Sequence, residues 1–340
     1  MSASVVIDAR AAIRREIGGV ERHAREMAAR LPALRPERYQ VVRPRPRLAH
    51  RAGHAWEQLA LPLVARRAQL IYCPANLAPL GSRRNVVVIH DVAALAHPHW
   101  YGRAYVRWQG LALPRIAARA RLVITVSEFS RGEIAERLNV PAGKIAVVPN
   151  GVSERFSPGA DPAAARAALG LGRPYVLALA TRIARKNLSM LGAAEQALAE
   201  QGIELVTAGS GRGYMHAEDR PAGRALGYVP EELLPGLYAG ALAFALPSVY
   251  EGFGLPVLEA MASGTPVVAA DRAALPEVCG GAALVADPDD PDAFAAALLR
   301  AAGPERERLA AAGRERAAGF SWERSAELTD AAIATLLAAP

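Results

Sequence analysis

The chain has 340 residues, 52% of them hydrophobic and 21% charged, a formal net charge of +7 and two cysteines. That length exceeds what one hydrophobic core usually supports and predicts two domains of roughly 150 residues. No run approaches the ~18 apolar residues that a bilayer-spanning helix needs. Cys73 and Cys279, without a CxxC or a Cys/His cluster, argue against a disulfide framework or structural zinc.

In chain order, apolar runs at 4–8 (SVVID), 40–44 (QVVRP), 69–74 (QLIYCP), 85–91 (NVVVIHD), 121–127 (RLVITVS) and 144–151 (KIAVVPNG) alternate with helical patterns. A second series follows at 173–180 (RPYVLALA), 203–209 (IELVTAG), 243–248 (AFALPS), 265–271 (TPVVAAD) and 282–288 (AALVADP). Continuous apolar strands of this kind are buried on both faces, as in parallel sheets, so each series predicts one doubly wound α/β domain. GVSERFSPG at 151–159 has Gly, Ser and Pro without periodicity and marks the join. The expected domains are 1–155 and 156–320, with a helix within 321–340 that packs back on the first domain. Ser130 with Glu133 predicts a capping box, and Asp290 followed by Pro291 a helix start. MSASVVIDAR enters a strand without a leader-like run, which predicts a cytoplasmic protein.

The charge divides unevenly. Residues 1–150 hold 24 Lys+Arg against 10 Asp+Glu, and the remainder 16 against 23. Arg43, Arg45, Arg47, Arg51, Arg66, Arg67, Arg83 and Arg84 crowd the first half, which suits an anionic surface such as phospholipid headgroups. The plainer alternative is a solvated arginine-rich face. Nucleic acid is disfavoured because no aromatics interleave with these arginines and no base-reading motif is present.

Domains of this class bind ligands in a cleft at strand C-termini, where EGFGLPVLE at 251–259 is predicted to lie. Pro256 predicts a helix beginning near Leu255, with free N–H groups and a positive dipole end suited to phosphate. Gly252 and Gly254 flank Phe253 and let the backbone approach a ligand. Glu259, a turn inside the helix, suits ribose hydroxyls, and Glu251 a second polyol beyond the phosphates. A sugar nucleotide has that layout of ribose, phosphates and sugar. The alternative is a turn residue and a solvated helix position.

EGFGLPVLEAMASGTPVVAAD resembles the E-x7-E signature of retaining glycosyltransferase family 4, whose GT-B fold sets two Rossmann-like domains facing across a cleft. IGGVERH, WEQLALPL, VVVIHD, VITVSEFSR, VVPNGV, RKNL, GYVPEELLPGLYAGA and LPEV occur in the order and spacing of that family. The resemblance implies that Lys186 binds the diphosphate with Arg185 or Arg182, that His90 contacts donor sugar or acceptor, and that Gly18 and Gly19 approach donor phosphate and acceptor. It further implies that Tyr228 and Val229 contact the base, with Gly209 and Gly211 closing the same wall. Asp91 is either an acceptor contact or a helix cap; Glu128 lines the acceptor site or begins a helix.

The activity so implied is transfer of a hexose from a nucleotide-diphosphate sugar, GDP-mannose favoured, to an acceptor hydroxyl with retention, in surface polysaccharide or glycolipid synthesis. The leaving phosphate itself would draw the acceptor proton, with cationic side chains in place of a metal and no cofactor. The acceptor would be a glycan or polyprenyl-linked glycan, reached at the inner face of a membrane through the basic N-terminal domain. The rivals are a hydrolase using Glu251 and Glu259, a sugar-nucleotide epimerase, and a non-catalytic nucleotide-sugar-binding protein.

Overall fold

The computed structural model describes residues 3–14, 18–45, 53–179, 183–209 and 222–338. The chain forms two compact units: one built from residues up to Ala96, Arg103–Gly151 and the stretch from Ser321, the other from His97–Gly102 and Val152–Phe320.

The first unit carries a six-stranded parallel sheet of β1 (Val5–Asp8), β2 (Tyr39–Val42), β3 (Leu70–Cys73), β4 (Asn85–Val88), β5 (Leu122–Thr125) and β6 (Ile145–Val147), in the order β2-β1-β3-β4-β5-β6. The Val- and Ile-rich central strands are fully buried, as parallel strands covered on both faces must be. On one face lies a helix layer whose Leu61, Ala65, Ala112, Leu113, Ile116, Ala117, Ile134 and Leu138 pack with Val87 and Val123 of the sheet. It contains α2 (residues 53–64, with a π turn at Trp56–Ala60), α3 (Arg103–Arg119) and α4 (Glu128–Leu138).

Elsewhere in this unit α1 (Gly19–Leu34) packs against α6 (Trp322–Ala338). Asp330 of α6 accepts from the Tyr39 hydroxyl at 2.6 Å and from Arg38 at 2.5 Å, and Ser325 donates to the Pro149 carbonyl at 2.6 Å. Trp322 is fully buried, and a side chain at Gly151 would place its Cβ 2.1 Å from the Trp322 backbone nitrogen. Only glycine permits that approach.

The second unit carries β7 (Tyr175–Leu179), β8 (Glu204–Ala208), β9 (Arg224–Gly227), β10 (Ala243–Leu246), β11 (Val267–Ala270) and β12 (Leu284–Ala286), all parallel, in the order β12-β11-β10-β7-β8-β9. Eleven of the twelve strands among the described residues fall on runs read from the sequence. The twelfth, β9, is an edge strand whose half-exposed RALG has no apolar run to betray it. Asp290 caps the helix Pro291–Ala302 by accepting from Ala293 N–H at 2.9 Å. The expected cap at Ser130 is displaced: Ser127, extended at the end of β5, caps α4 by accepting from Ser130 N–H at 3.0 Å. Ser130 instead lies buried inside the helix and donates to the His90 carbonyl at 3.0 Å.

Candidate functional site

In the second unit the chain order reverses between β7 and β10, which pair side by side through Val176, Leu177 and Ala178. Such a switch point sends the two following loops apart and leaves a ligand crevice at the strand ends. After β7 comes a single 3₁₀ turn, Ala184–Lys186, that ends at Asn187 in the left-handed region (φ 53°). The Asn187 side-chain amide secures it by donating to the Pro288 carbonyl at 3.0 Å. Arg182 and Gly211, both singled out in the sequence, lie outside the described residues.

Lys186 is 7% exposed and Glu251, in the loop after β10, 6%. Their side chains pair directly, Lys186 Nζ donating to Glu251 Oε1. Arg185 reaches the other carboxylate oxygen at 3.4 Å and donates to the Tyr250 carbonyl at 2.7 Å, while Val249 N–H returns to the Arg185 carbonyl at 3.0 Å. Two cations this close repel, and the carboxylate between them holds them together. Burial works to raise the Glu251 carboxyl, but the charges of Lys186 and then Arg185 outweigh it and hold its pKa below the ordinary value. The trio lies in a nearly dry place, where a charged group interacts strongly with an anion.

Gly254 caps α5 (Leu255–Ala262) with φ +109°, a backbone conformation that demands glycine. Pro256 occupies the second helical position, where its missing N–H costs nothing. Phe253 is 5% exposed, edge-on to Phe320 at 6.0 Å, and Gly252 joins it to Glu251. Glu259 is 4% exposed and accepts from the Tyr238 hydroxyl at 3.0 Å. Neither glutamate is a solvated surface residue, so Glu259 is not the solvated helix position of the plainer reading, while Glu251 does lie in a loop. Gly209, with φ +132°, donates its N–H to the Gly227 carbonyl at 2.7 Å, tying the ends of β8 and β9 together. Tyr228 beside it is exposed and Val229 buried. Lys186, Arg185, Glu251, Gly254, Gly209 and Val229 thus follow four strands that are neighbours in the sheet, β10-β7-β8-β9.

The second unit also takes in His97–Gly102, which sequence reading left without a role. His97 stacks on Trp100 with centroids 4.1 Å apart, and both face the buried Tyr250 ring, at 5.4 and 6.4 Å. Tyr250 is therefore gripped on its ring by this segment and on its carbonyl by Arg185, immediately before Glu251.

In the first unit the switch point lies between β1 and β3. Gly18 caps α1 and Gly19 is its first residue; Glu21 turns back to accept from Gly18 N–H at 3.0 Å. His90, 6% exposed after β4, donates from Nε2 to the Pro74 carbonyl at 2.9 Å, so Nδ1 is left as an acceptor. Burial lowers its pKa, making the neutral ring the resident form.

His23 stands edge-on to His90 at 4.8 Å, donates to Asn150 Oδ1 at 2.8 Å and accepts from Tyr72 at 3.2 Å. Burial, with His90 beside it, pushes the His23 imidazole down to about 3. His23, Tyr72 and Asn150 were missed in sequence although His23 and Asn150 sit inside the quoted IGGVERH and VVPNGV. Asp8, Arg10 and Glu57 form another buried group: Arg10 donates to Glu57 at 2.6 Å and its backbone N–H to Asp8 at 2.9 Å. Burial lifts the Asp8 carboxyl to about 7 despite Arg10. A lone acid within VVID and another within the apolar WEQLALPL were the available signals. Asp91 caps Ala93 N–H at 3.1 Å, and Glu128 opens α4, pairing with Arg131 at 2.6 Å.

The sequence profile described as Glycosyltransferase Family 4 matches residues 35–156, and that described as Glycosyl transferases group 1 matches 173–303. The O-antigen chain mannosyltransferase B of Escherichia coli is 35% identical over 302 residues, 82% of this chain and 76% of that protein. The chain belongs to glycosyltransferase family 4. It is thus a transferase enzyme of GT-B fold.

A GDP-mannose-dependent alpha-(1-6)-phosphatidylinositol monomannoside mannosyltransferase of Mycolicibacterium smegmatis is 33% identical over 246 residues, 66% of this chain and 64% of that relative's length. A sucrose-phosphate synthase from Thermosynechococcus elongatus shares the fold, with a TM-score of 0.76 at 20% identity over 100% of both chains. No helix of this family-4 enzyme is long and apolar enough to cross a membrane among the described residues.

Proposed function

We propose that this glycosyltransferase moves a mannosyl group from GDP-mannose to a hydroxyl of a glycan or polyprenyl-linked glycan, with retention of anomeric configuration. The observation that carries the donor site is the Lys186–Glu251–Arg185 trio at the β7/β10 switch point, a buried cluster of two cations about one carboxylate. Lys186 and Arg185 bind the diphosphate, and the charge that develops on the departing phosphate is where their stabilisation counts most. Glu251 keeps the two cations adjacent and is the group that a donor sugar hydroxyl meets. The start of α5 at Gly254 and Leu255 offers amide N–H groups to phosphate. Glu259, steadied by Tyr238, accepts from the ribose, and Gly209, Tyr228 and Val229 flank the base. In the first unit we assign Gly18, Gly19 and His90 to acceptor and donor-sugar recognition, with neutral His90 as a hydrogen-bonding group.

Mannosyltransferases among the relatives, one of them GDP-mannose-dependent by name, support the donor. The test is incubation with labelled GDP-mannose, UDP-glucose and dTDP-glucose, with and without a polyprenyl-diphosphate-linked glycan. Acceptor-dependent transfer from GDP-mannose with the α configuration preserved is expected. Free mannose alone would indicate a hydrolase, a new sugar nucleotide an epimerase, and binding without turnover a silent carrier.

A further inference from the structure

We propose that Tyr250 and Phe253 are positioning residues, each seated by a ring clamp, and that the Lys186–Glu251–Arg185 trio is set for transfer only with both clamps in place. This deepens the donor-site reading above and rests on it.

Glu251 and Gly252 lie between Tyr250 and Phe253, which are nearly buried at 3 and 5% exposed. Two buried rings so close in sequence fix the backbone between them, because neither can turn without giving up its packing. The trio is built on that backbone. Arg185 donates to the Tyr250 carbonyl at 2.7 Å, and Ala274 N–H donates to the Glu251 carbonyl at 3.3 Å. A displaced Tyr250 therefore moves a partner of Arg185 and the main chain of Glu251 together.

The first clamp is the ring pair of His97 and Trp100, stacked at 27° between their planes. His97 meets the Tyr250 ring at 74° and Trp100 meets it at 65°, the edge-to-face arrangement that ring quadrupoles favour. The second clamp is Phe320, which meets Phe253 at 67° with centroids 6.0 Å apart. Phe320 is held in its turn. The Arg316 guanidinium stands 4.8 Å over its ring, and Val152 N–H donates to its carbonyl at 3.1 Å. Arg316 is fixed by donating to the carbonyls of Glu277 at 2.8 Å and Val278 at 2.9 Å.

Both clamps come from segments in which the chain passes between the units. His97–Gly102 follows Ala96 and precedes Arg103 of the first unit, and Phe320 stands immediately before Ser321, where the chain returns to it. Val152, bonded to Phe320, is the first residue after the other crossing. Packing for stability alone could draw on any ring of the second unit's core. Rings taken from the crossings tie the geometry around Glu251 to the path of the chain between the units.

The experiment is the kinetics of transfer from GDP-mannose to a polyprenyl-diphosphate-linked glycan by variants of the full chain. Trp100→Ala and Phe320→Ala should each lower kcat about tenfold while donor KM stays within about twofold, as when a ring pair positions groups that act in the transition state. GDP affinity by calorimetry should hold within about the same twofold. Trp100→Phe and Phe320→Tyr, which keep a ring, should recover most of the loss. Because both rings seat one loop, the double alanine variant should fall about twentyfold, well short of the roughly hundredfold expected of independent sites.

Phe294→Leu, in the second unit's core, should lower the melting temperature and leave kcat and KM alone, which separates lost packing from lost positioning. Should circular dichroism show Trp100→Ala unfolded, His97→Ala removes the ring stacked on Trp100 and is judged by the same criteria. The proposal is overturned by a kcat within about twofold of wild type in both single variants, by a donor KM that rises as far as kcat falls, or by the full hundredfold loss in the double variant. Failure of the donor-site reading shows separately, as GDP affinity untouched by Lys186→Ala.

Discussion

Two buried polar clusters at strand ends, one in each unit, are held together in opposite ways. In the second, Lys186, Arg185 and Glu251 are kept by opposite charge. In the first, His90, His23, Tyr72 and Asn150 are kept by hydrogen bonds between neutral groups. A charged cluster under low dielectric discriminates by the sign of its ligand; a neutral one discriminates by hydrogen-bond geometry. The difference matches a division between binding a diphosphate and binding hydroxyls.

Lys186→Ala tests the charged side hardest. It removes the proposed phosphate donor and leaves Arg185 as the remaining cation of the trio beside Glu251, so turnover should drop about a thousandfold by radiolabelled transfer, with Lys186→Arg recovering part of it. A variant within tenfold of wild type would take the diphosphate away from this cluster.

Glu251→Gln comes next, with an expected loss of about a hundredfold and a changed pH dependence of stability. The Glu251 pKa is depressed in the fold, so its contribution is present above the ordinary carboxylate range and disappears as pH falls through the folded value. Thermal denaturation in acid should therefore be less steep with pH in the glutamine variant.

Trp100→Ala should cost about tenfold in kcat with little change in donor KM, because it frees the Tyr250 ring rather than a ligand contact, and Trp100→Phe should restore most of it. The smallest effect belongs to the neutral side. His23 is held unprotonated, so stability is complete above pH 6.5 and declines below it, by up to about 1.4 kcal/mol per pH unit, as the unfolded chain takes up the proton. His23→Gln should flatten the melting temperature between pH 7 and 5 as followed by circular dichroism; an unchanged slope would place the titration elsewhere.

Much of this architecture was legible because buried parallel strands must be apolar throughout. SVVID and NVVVIHD could hardly be anything else, whereas RALG, at a half-exposed edge, gives no such sign. In the proposed donor site the motif residues were visible and their pairing was not. Lys186 and Glu251 are 65 residues apart, and only the strand order that sets β7 beside β10 joins them. Asn150 and Tyr72 read as a turn residue and a strand residue, since a buried hydrogen bond leaves no periodic trace. HPHWYG has neither helical nor strand alternation, and nothing in it forecast that its rings would seat Tyr250.

The placement of α6 has a consequence for biogenesis. Every residue of the second unit is already in the chain once Phe320 is made, so that unit needs nothing synthesised later to complete its contacts. The first unit, though begun earlier, still lacks the helix that covers α1 and satisfies Tyr39 and Arg38. The half synthesised first is thus the half finished last, and until Trp322 and Asp330 emerge a nascent chain carries an unsealed apolar groove for chaperones to guard.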